Sequence, residues 1–259
     1  MLPARRDEET WRAPAAGEAA ARNASVLRSY IRQKTCRSVL CIKIPPFAID
    51  DGPARGRRPA SATLHAMQLI ALNKPFGTIC QFSAHETRAT LADWVKLPGV
   101  YPAGRLDADS EGLLLLTDDG GLQARVAEPR HKLVKRYWAQ VEGTPDEAAL
   151  RALARGVDLG DYVTRPCHAR VIDEPEGLWP RVPPIRYRAA IPTTWIEIAL
   201  SEGKNRQVRR MTAAVGFPTL RLVRVGIGAL DIFALGLTPG EWQTLPPRAP
   251  WDGLARTRA

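Results

Sequence analysis

A chain of 259 residues, 45% of them hydrophobic, can bury one large core or two small ones, and no apolar run in it reaches the ~18 to 20 residues of a membrane helix. Its formal net charge of +10 points to a polyanionic partner, with nucleic acid first among them. Four scattered cysteines (Cys36, Cys41, Cys80, Cys167) and four scattered histidines lack ligand-like spacing. That argues against a zinc site and for free thiols in a reducing compartment.

The charge is uneven. Residues 1–66 hold twelve Lys and Arg against six Asp and Glu. They mix Ala, Arg, Gly, Pro and Ser without period, so most of this region is expected to be a disordered basic extension. It has no long apolar segment of the secretory kind, and Asp7, Glu8 and Glu9 argue against a transit peptide. Met67 is an alternative start for the working chain.

Order is expected from Gln68. Residues 69–72 read as a strand and 73–77 as its turn. Residues 90–97 read as a short helix capped by Thr90, with Leu91, Trp94 and Val95 on one face. Next comes a polar loop with a glycine at each end, Gly104 to Gly112, running into Leu113-Leu114-Leu115-Leu116-Thr117. So short an apolar run, closed by the turn at Asp118 to Gly120, suits a strand buried on both faces. Asp119 can cap a helix that Pro129 ends.

Residues 137–142 alternate as a strand. Thr144 and Glu147 form a capping-box pattern for a helix with Leu150 and Leu153 inward, ended by Gly156. Residues 162–172 read as a strand, and the proline-rich 173–192 as an extended excursion. Thr194, Ile196, Ile198 and Leu200 line one face of a strand. In the helix that follows, Asn205 is the expected cap and Val208, Met211, Thr212 and Val215 the buried stripe. At about 100° per residue Arg206 and Arg210 point away from that stripe, and Arg209 lies on its flank. Two strand-like runs occupy 220–235, and residues 246–259 are expected to form a loose tail. Irregular alternation without a repeat gives an α+β class with a mixed, mostly antiparallel sheet and flanking helices. No GxGxxG or Walker A run is present.

Arg105 and Asp107, two residues apart, share a face in an extended loop anchored to a rigid strand. A carboxylate beside a guanidinium there is a plausible reactive site, although a surface turn with an ordinary ion pair from Arg105 to Asp109 or Glu111 fits the same spacing.

Four pieces in order carry a resemblance: Leu72 to Gly77; Gly104 to Asp107 with Ser110 to Thr117; Lys135-Arg136-Tyr137; and Glu202 to Met211. Together they resemble the pseudouridine synthases of the ribosomal small-subunit type, from about residue 67 to about residue 245. Residues 1–66 do not read as the small RNA-binding domain that such proteins usually carry at the N-terminus. That absence and the prolines between Trp179 and Trp195 are similar to a branch of the family acting on large-subunit ribosomal RNA.

The resemblance implies a pseudouridine synthase fold with a central RNA-binding cleft over residues 67–245. It implies an isomerase that needs no metal or redox cofactor and acts on a flipped-out uridine of large-subunit ribosomal RNA. In that reading Asp107 is the catalytic carboxylate, Arg209 the cation that keeps it ionised, and Tyr137 the aromatic under the base. Leu200 packs beneath that base. Arg105 fills the vacated space or holds a phosphate. Lys204, Asn205, Arg206 and Arg210, at a helix start, are expected to contact RNA, as are Arg130, Lys132, Lys135 and Arg136. Left to periodicity alone, Tyr137 reads more readily as a core tyrosine, and the basic runs read equally as solvated faces. A monomeric cytoplasmic enzyme is expected. Two other readings stay open: a synthase acting on transfer RNA, and a non-catalytic RNA-binding ribosome-assembly factor that could dispense with Asp107.

Overall fold

The computed structural model describes residues 67–127, 133–186, 188 and 190–253. The extension at 1–66 and the basic positions Arg130 and Lys132 lie outside the described residues.

Among the described residues nine strands form one sheet: β1 (Leu69–Lys74), β2 (Tyr101–Pro102), β3 (Glu111–Thr117), β4 (Lys135–Glu142), β5 (His168–Ile172), β6 (Thr193–Leu200), β7 (Thr219–Ile227), β8 (Leu230–Asp231) and β9 (Trp242–Leu245). Their order is β5-β6-β4-β7-β3-β1-β9, with β2 added to β3 and β8 to β7. Every described pairing between these strands is antiparallel except one, where β3 meets β7 in parallel at Glu111–Val223 and Gly112–Arg224. That parallel join links two antiparallel halves, and the polar loop enters the sheet there.

All seven residues of β3 are buried. Leu114 and Leu116 pack on one face with Ile70, Leu72, Tyr137, Ala139 and Ile198, whereas Leu113 and Leu115 pack on the other with Leu69, Ala71, Val223 and Val225. The expectation of a strand covered on both faces therefore holds. Each leucine contributes roughly 1.5 to 3 kcal/mol relative to exposure.

Helix α1 (Leu91–Trp94) is one turn, shorter than 90–97, because Val95 already has extended backbone. Asp93 Oδ2 accepts from the Thr90 amide at 2.7 Å and closes that turn. Helix α2 (Gly120–Ala127) starts where Asp119 Oδ1 accepts from the Leu122 amide at 2.5 Å. Helix α3 (Glu147–Arg155) is capped by Asp146, not by Thr144: Asp146 Oδ1 accepts from the Ala149 amide at 2.8 Å. A carboxylate at that point also meets the positive end of the helix dipole, which a hydroxyl does not.

Helix α4 (Gln207–Ala214) buries Val208, Met211 and Thr212 as expected. Asn205 is not its cap. Arg206 holds that position in the left-handed region (φ 48°), without a side-chain capping bond. The strand expected over 162–172 is confined to β5, and 173–192 forms no regular element among its described residues. Part of the expected loose tail is ordered: α5 (Ala249–Asp252) is a helical turn, and Ala249 is buried against Leu230 and Ile232.

Candidate active site

The loop from Gly104 to Ser110 is held at both margins. Gly77 donates its amide to the Ala108 carbonyl at 2.7 Å. The turn supplying that donor is itself pinned by Lys74, which is fully buried and gives its ammonium to the carbonyls of Pro75 (3.0 Å) and Thr78 (2.9 Å). Burial pushes that ammonium down to about 8, against the opposing pull of the Cys80 and Glu111 charges. Cys80 Sγ donates to the Leu106 carbonyl at 3.0 Å. At the strand end, Gly112 has φ 103°, and a Cβ there would strike the Arg224 carbonyl oxygen, so only glycine lets β3 approach β7.

The loop opens on a cavity of about 630 Å³. Of the positions singled out by sequence, Arg105, Asp107, Lys135, Tyr137, Leu200, Lys204, Asn205 and Arg206 all line it. They come from the loop, β4, β6 and the approach to α4. Strand register explains the convergence: Lys135 pairs with Leu200 across β4 and β6, and Tyr137 pairs with Arg224 across β4 and β7. Paired residues share a face, so the aromatic, the apolar floor and the cations project to one side. Tyr137 is buried with 8% exposure, and the Asp107 side chain is 32% exposed. Arg105 is exposed and makes no ion pair with Asp109 or Glu111, so the surface-turn reading is not the arrangement found.

Three expected residues sit elsewhere. Arg136 turns to the opposite face and pairs with Asp231 at 2.7 Å. Arg210 is committed to Asp161 and to the Leu159 carbonyl, and lies over the Tyr162 ring at 5.5 Å. Arg209 does not touch Asp107. Its Nη2 donates to the Asp109 carbonyl (2.7 Å), its Nη1 to the Thr219 carbonyl (3.1 Å), and its Nε lies 3.4 Å from Asp109 Oδ2. The guanidinium nearest Asp107 belongs to Arg206, with Nη1 3.9 Å from Asp107 Oδ2. The left-handed backbone at Arg206 turns its side chain back over the loop, whereas Arg209, one helical turn on, passes behind it.

Asp109 is therefore the hub of the loop. Arg206 binds it with both terminal nitrogens, at 3.1 and 2.8 Å. Burial alone would raise the Asp109 carboxyl, but these bonds and the charges of Arg209 and Arg206 outweigh it and hold the group below its ordinary value. The same partnership raises the Arg206 guanidinium, while burial lowers that of Arg209.

Sequence reasoning missed two supports. Glu111 and Arg221 form a buried pair at 3.0 and 2.9 Å, to which Trp179 Nε1 adds a bond at 2.8 Å. Arg224 lines the cavity; its Nε donates to the Leu113 carbonyl (2.7 Å) and its Nη1 to the Arg105 carbonyl (3.3 Å). The available signal was a pair of arginines inside an otherwise apolar strand, Leu222 to Ile227 with Arg221 before it. No described group of three or more His, Cys, Asp or Glu side chains could hold a metal ion.

A model of the RNA pseudouridylate synthase family matches residues 68–214. The chain is 53% identical over 185 residues to the ribosomal large subunit pseudouridine synthase E of Vibrio vulnificus, which takes in 71% of this chain and 78% of the relative. To the protein of the same name from Xanthomonas campestris pv. campestris it is 55% identical over 183 residues, 70% of this chain and 97% of the relative. A crystal structure of a pseudouridylate synthase is similar with a TM-score of 0.59 at 28% identity, over 71% of this chain and 73% of that one. The family match opens just before the strand whose turn supports the loop and closes at the last residue of α4. It thus takes in the loop, β4, β6 and α4 that meet at the cavity, and the chain belongs to the RNA pseudouridylate synthase family.

Proposed function

We propose that this protein converts a uridine of large-subunit ribosomal RNA to pseudouridine. The substrate class rests on the two relatives above, each covered by this chain over more than three quarters of its length. The reaction breaks the N1–C1′ bond, turns the uracil and joins C5 to C1′; the proton lost from C5 is balanced by one gained at N1. It is an isomerisation, so nothing is oxidised or reduced. The observation that carries the assignment of roles is that a partly exposed carboxylate, Asp107, and a buried aromatic, Tyr137, line the same cavity.

In this reading the uridine leaves its helix, at a cost of a few kcal/mol, and its base enters over Tyr137 and Leu200. The Asp107 carboxylate acts at the ribose, as nucleophile at C1′ or as base at C2′. Arg206, with Nη1 3.9 Å from Asp107 Oδ2, is the guanidinium that orients this carboxylate, and Arg209 acts one step back by fixing Asp109. Arg105, exposed and lining the cavity, meets the RNA backbone or the gap left by the base, with Lys204 and Asn205 on the other rim. We read the enzyme as a monomer, because one chain supplies every described wall of the cavity. We place it in the cytoplasm, where its RNA is found; no described helix is long and apolar enough to cross a membrane.

Pseudouridine mapping of ribosomal and transfer RNA from cells lacking the gene tests the proposal. One large-subunit position should lose its modification, and the wild-type gene should restore it. Loss confined to transfer RNA would reassign the substrate, and an unchanged map would overturn the reading.

A further inference from the structure

Two cations line the cavity without an ion pair to any described carboxylate. Lys135 is 7% exposed and Arg224 is 4% exposed. Arg224 spends Nε and Nη1 on backbone carbonyls, and its Nη2 is buried without a hydrogen-bond partner among the described residues. The Lys135 ammonium makes no hydrogen bond or ion pair with a described residue, and the charge acting on it is the repulsive one of Arg224. The nearby acids meet other cations: Asp109 with Arg206 and Arg209, Glu111 with Arg221, and Asp107, on the same cavity, nearest to Arg206 at 3.9 Å. Two like charges drawn out of water, one with an orphaned donor, are unfavourable as they stand. An anion between them reverses the sign.

Position indicates which anion. Arg224 is the cross-strand partner of Tyr137, and Lys135 precedes Tyr137 by two residues on the same face of β4. Arg224 also grips the Arg105 carbonyl, two residues before Asp107. An anion held there sits beside both the aromatic and the carboxylate loop. A nucleotide carries its phosphate one ribose away from its base, and guanidinium with ammonium is a common pairing for phosphate oxygens. We propose that Lys135 and Arg224 form a seat for the phosphate of the uridine that enters the cavity, so that the nucleotide is held by base and phosphate together. The proposal rests on reading the cavity as the uridine site.

The test uses the full chain, with uridine 5′-monophosphate, uridine and inorganic phosphate as probes in chemical-shift titrations near neutral pH. The monophosphate should bind roughly tenfold more tightly than uridine, the value of one charge-assisted contact. Lys135→Gln should remove that preference and leave uridine binding unchanged, and Lys135→Arg should restore most of it. Arg224 also carries two backbone contacts, so the lysine variants bear the weight of the test. Equal binding of monophosphate and uridine by the wild type, or a preference that survives in Lys135→Gln, would overturn the seat. Inorganic phosphate binding as tightly as the monophosphate would make this a free-anion site and overturn it too. If large-subunit RNA is still modified while the preference is absent, the seat alone fails; if the preference is present but no large-subunit target exists, the substrate reading alone fails.

Discussion

Single side chains at the cavity make separable demands. Asp107→Asn should end isomerisation and leave RNA affinity largely intact, because an amide is neither nucleophile nor base at the ribose; single-turnover assays with parallel binding curves check it. Arg209→Met should act differently. It strips donors from the Asp109 and Thr219 carbonyls, which should lower unfolding stability by about 1 to 3 kcal/mol in urea titrations. It should slow turnover through loss of loop order, and Arg209→Lys should recover only part, since an ammonium cannot span both carbonyls. Lys135 carries a pH signature. Burial first, and the Arg224 charge second, push its ammonium down to about 8. The groups around it are Arg224 from β7, Tyr137 from β4, Arg105 and Asp107 from the loop, and Lys204 and Arg206 before α4. Its protonated form binds anions, so affinity for uridine 5′-monophosphate should fall as pH rises through about 8, where the phosphate itself no longer titrates. In the free protein the sign is opposite. Between about 8 and the ordinary 10.5 the unfolded chain holds a proton that the folded one has released, so the penalty of the buried charge is present below 8 and relieved above it.

At the scale of elements, the join between β3 and β7 decides whether the loop has a floor. Glu111 and Arg221 lock it from the face opposite the cavity, with side chains only 2% and 9% exposed. Trp179 ties the proline-rich excursion to the same pair through its indole and its carbonyl. Glu111→Gln leaves a buried guanidinium without its counter-charge, which should cost about 3 to 5 kcal/mol in chemical denaturation. Trp179→Phe keeps the pair and removes one bond, so its loss should be about 1 kcal/mol. If the two variants cost the same, the excursion and not the ion pair holds the join. Helix α4 contributes in another way: its buried stripe fixes the rotation that lets Arg206 and Arg209 approach Asp109 from two sides.

For the whole molecule, the described residues contain the sheet, both core faces and the side chains that line the cavity. The Xanthomonas relative is covered over 97% of its length by 183 residues, which leaves no room in it for a counterpart of a long extension. We accordingly propose that residues 1–66 add nothing to folding or catalysis. A chain beginning at Met67 should match the full-length protein by gel filtration, unfold cooperatively and modify its RNA at the full-length rate. Insolubility or inactivity of that chain would make the extension structural.

Local pattern alone determined much of this protein. The doubly buried β3 was legible from four leucines between turn residues, the inward face of α4 from its spacing, and the mixed sheet from irregular alternation. The cavity lining was legible only through the resemblance that four short pieces carry, because a tyrosine at an inward strand position reads by period as core and a basic helix start as a solvated face. Other features waited for tertiary structure. The meeting of Arg209 with Asp109 and not Asp107 joins residues 100 apart in sequence, which no local period announces. Asp146 displaced Thr144 as a cap by a shift of two residues, a margin below what spacing resolves. The placement of Arg224 on the cavity follows from a parallel join that brings together residues 111 apart in sequence, where its Nε meets the Leu113 carbonyl. Sequence fixes what each segment buries, because burial follows local hydrophobic period. Which charges meet depends on strand register and backbone turns between distant segments, and those are settled only when the sheet closes.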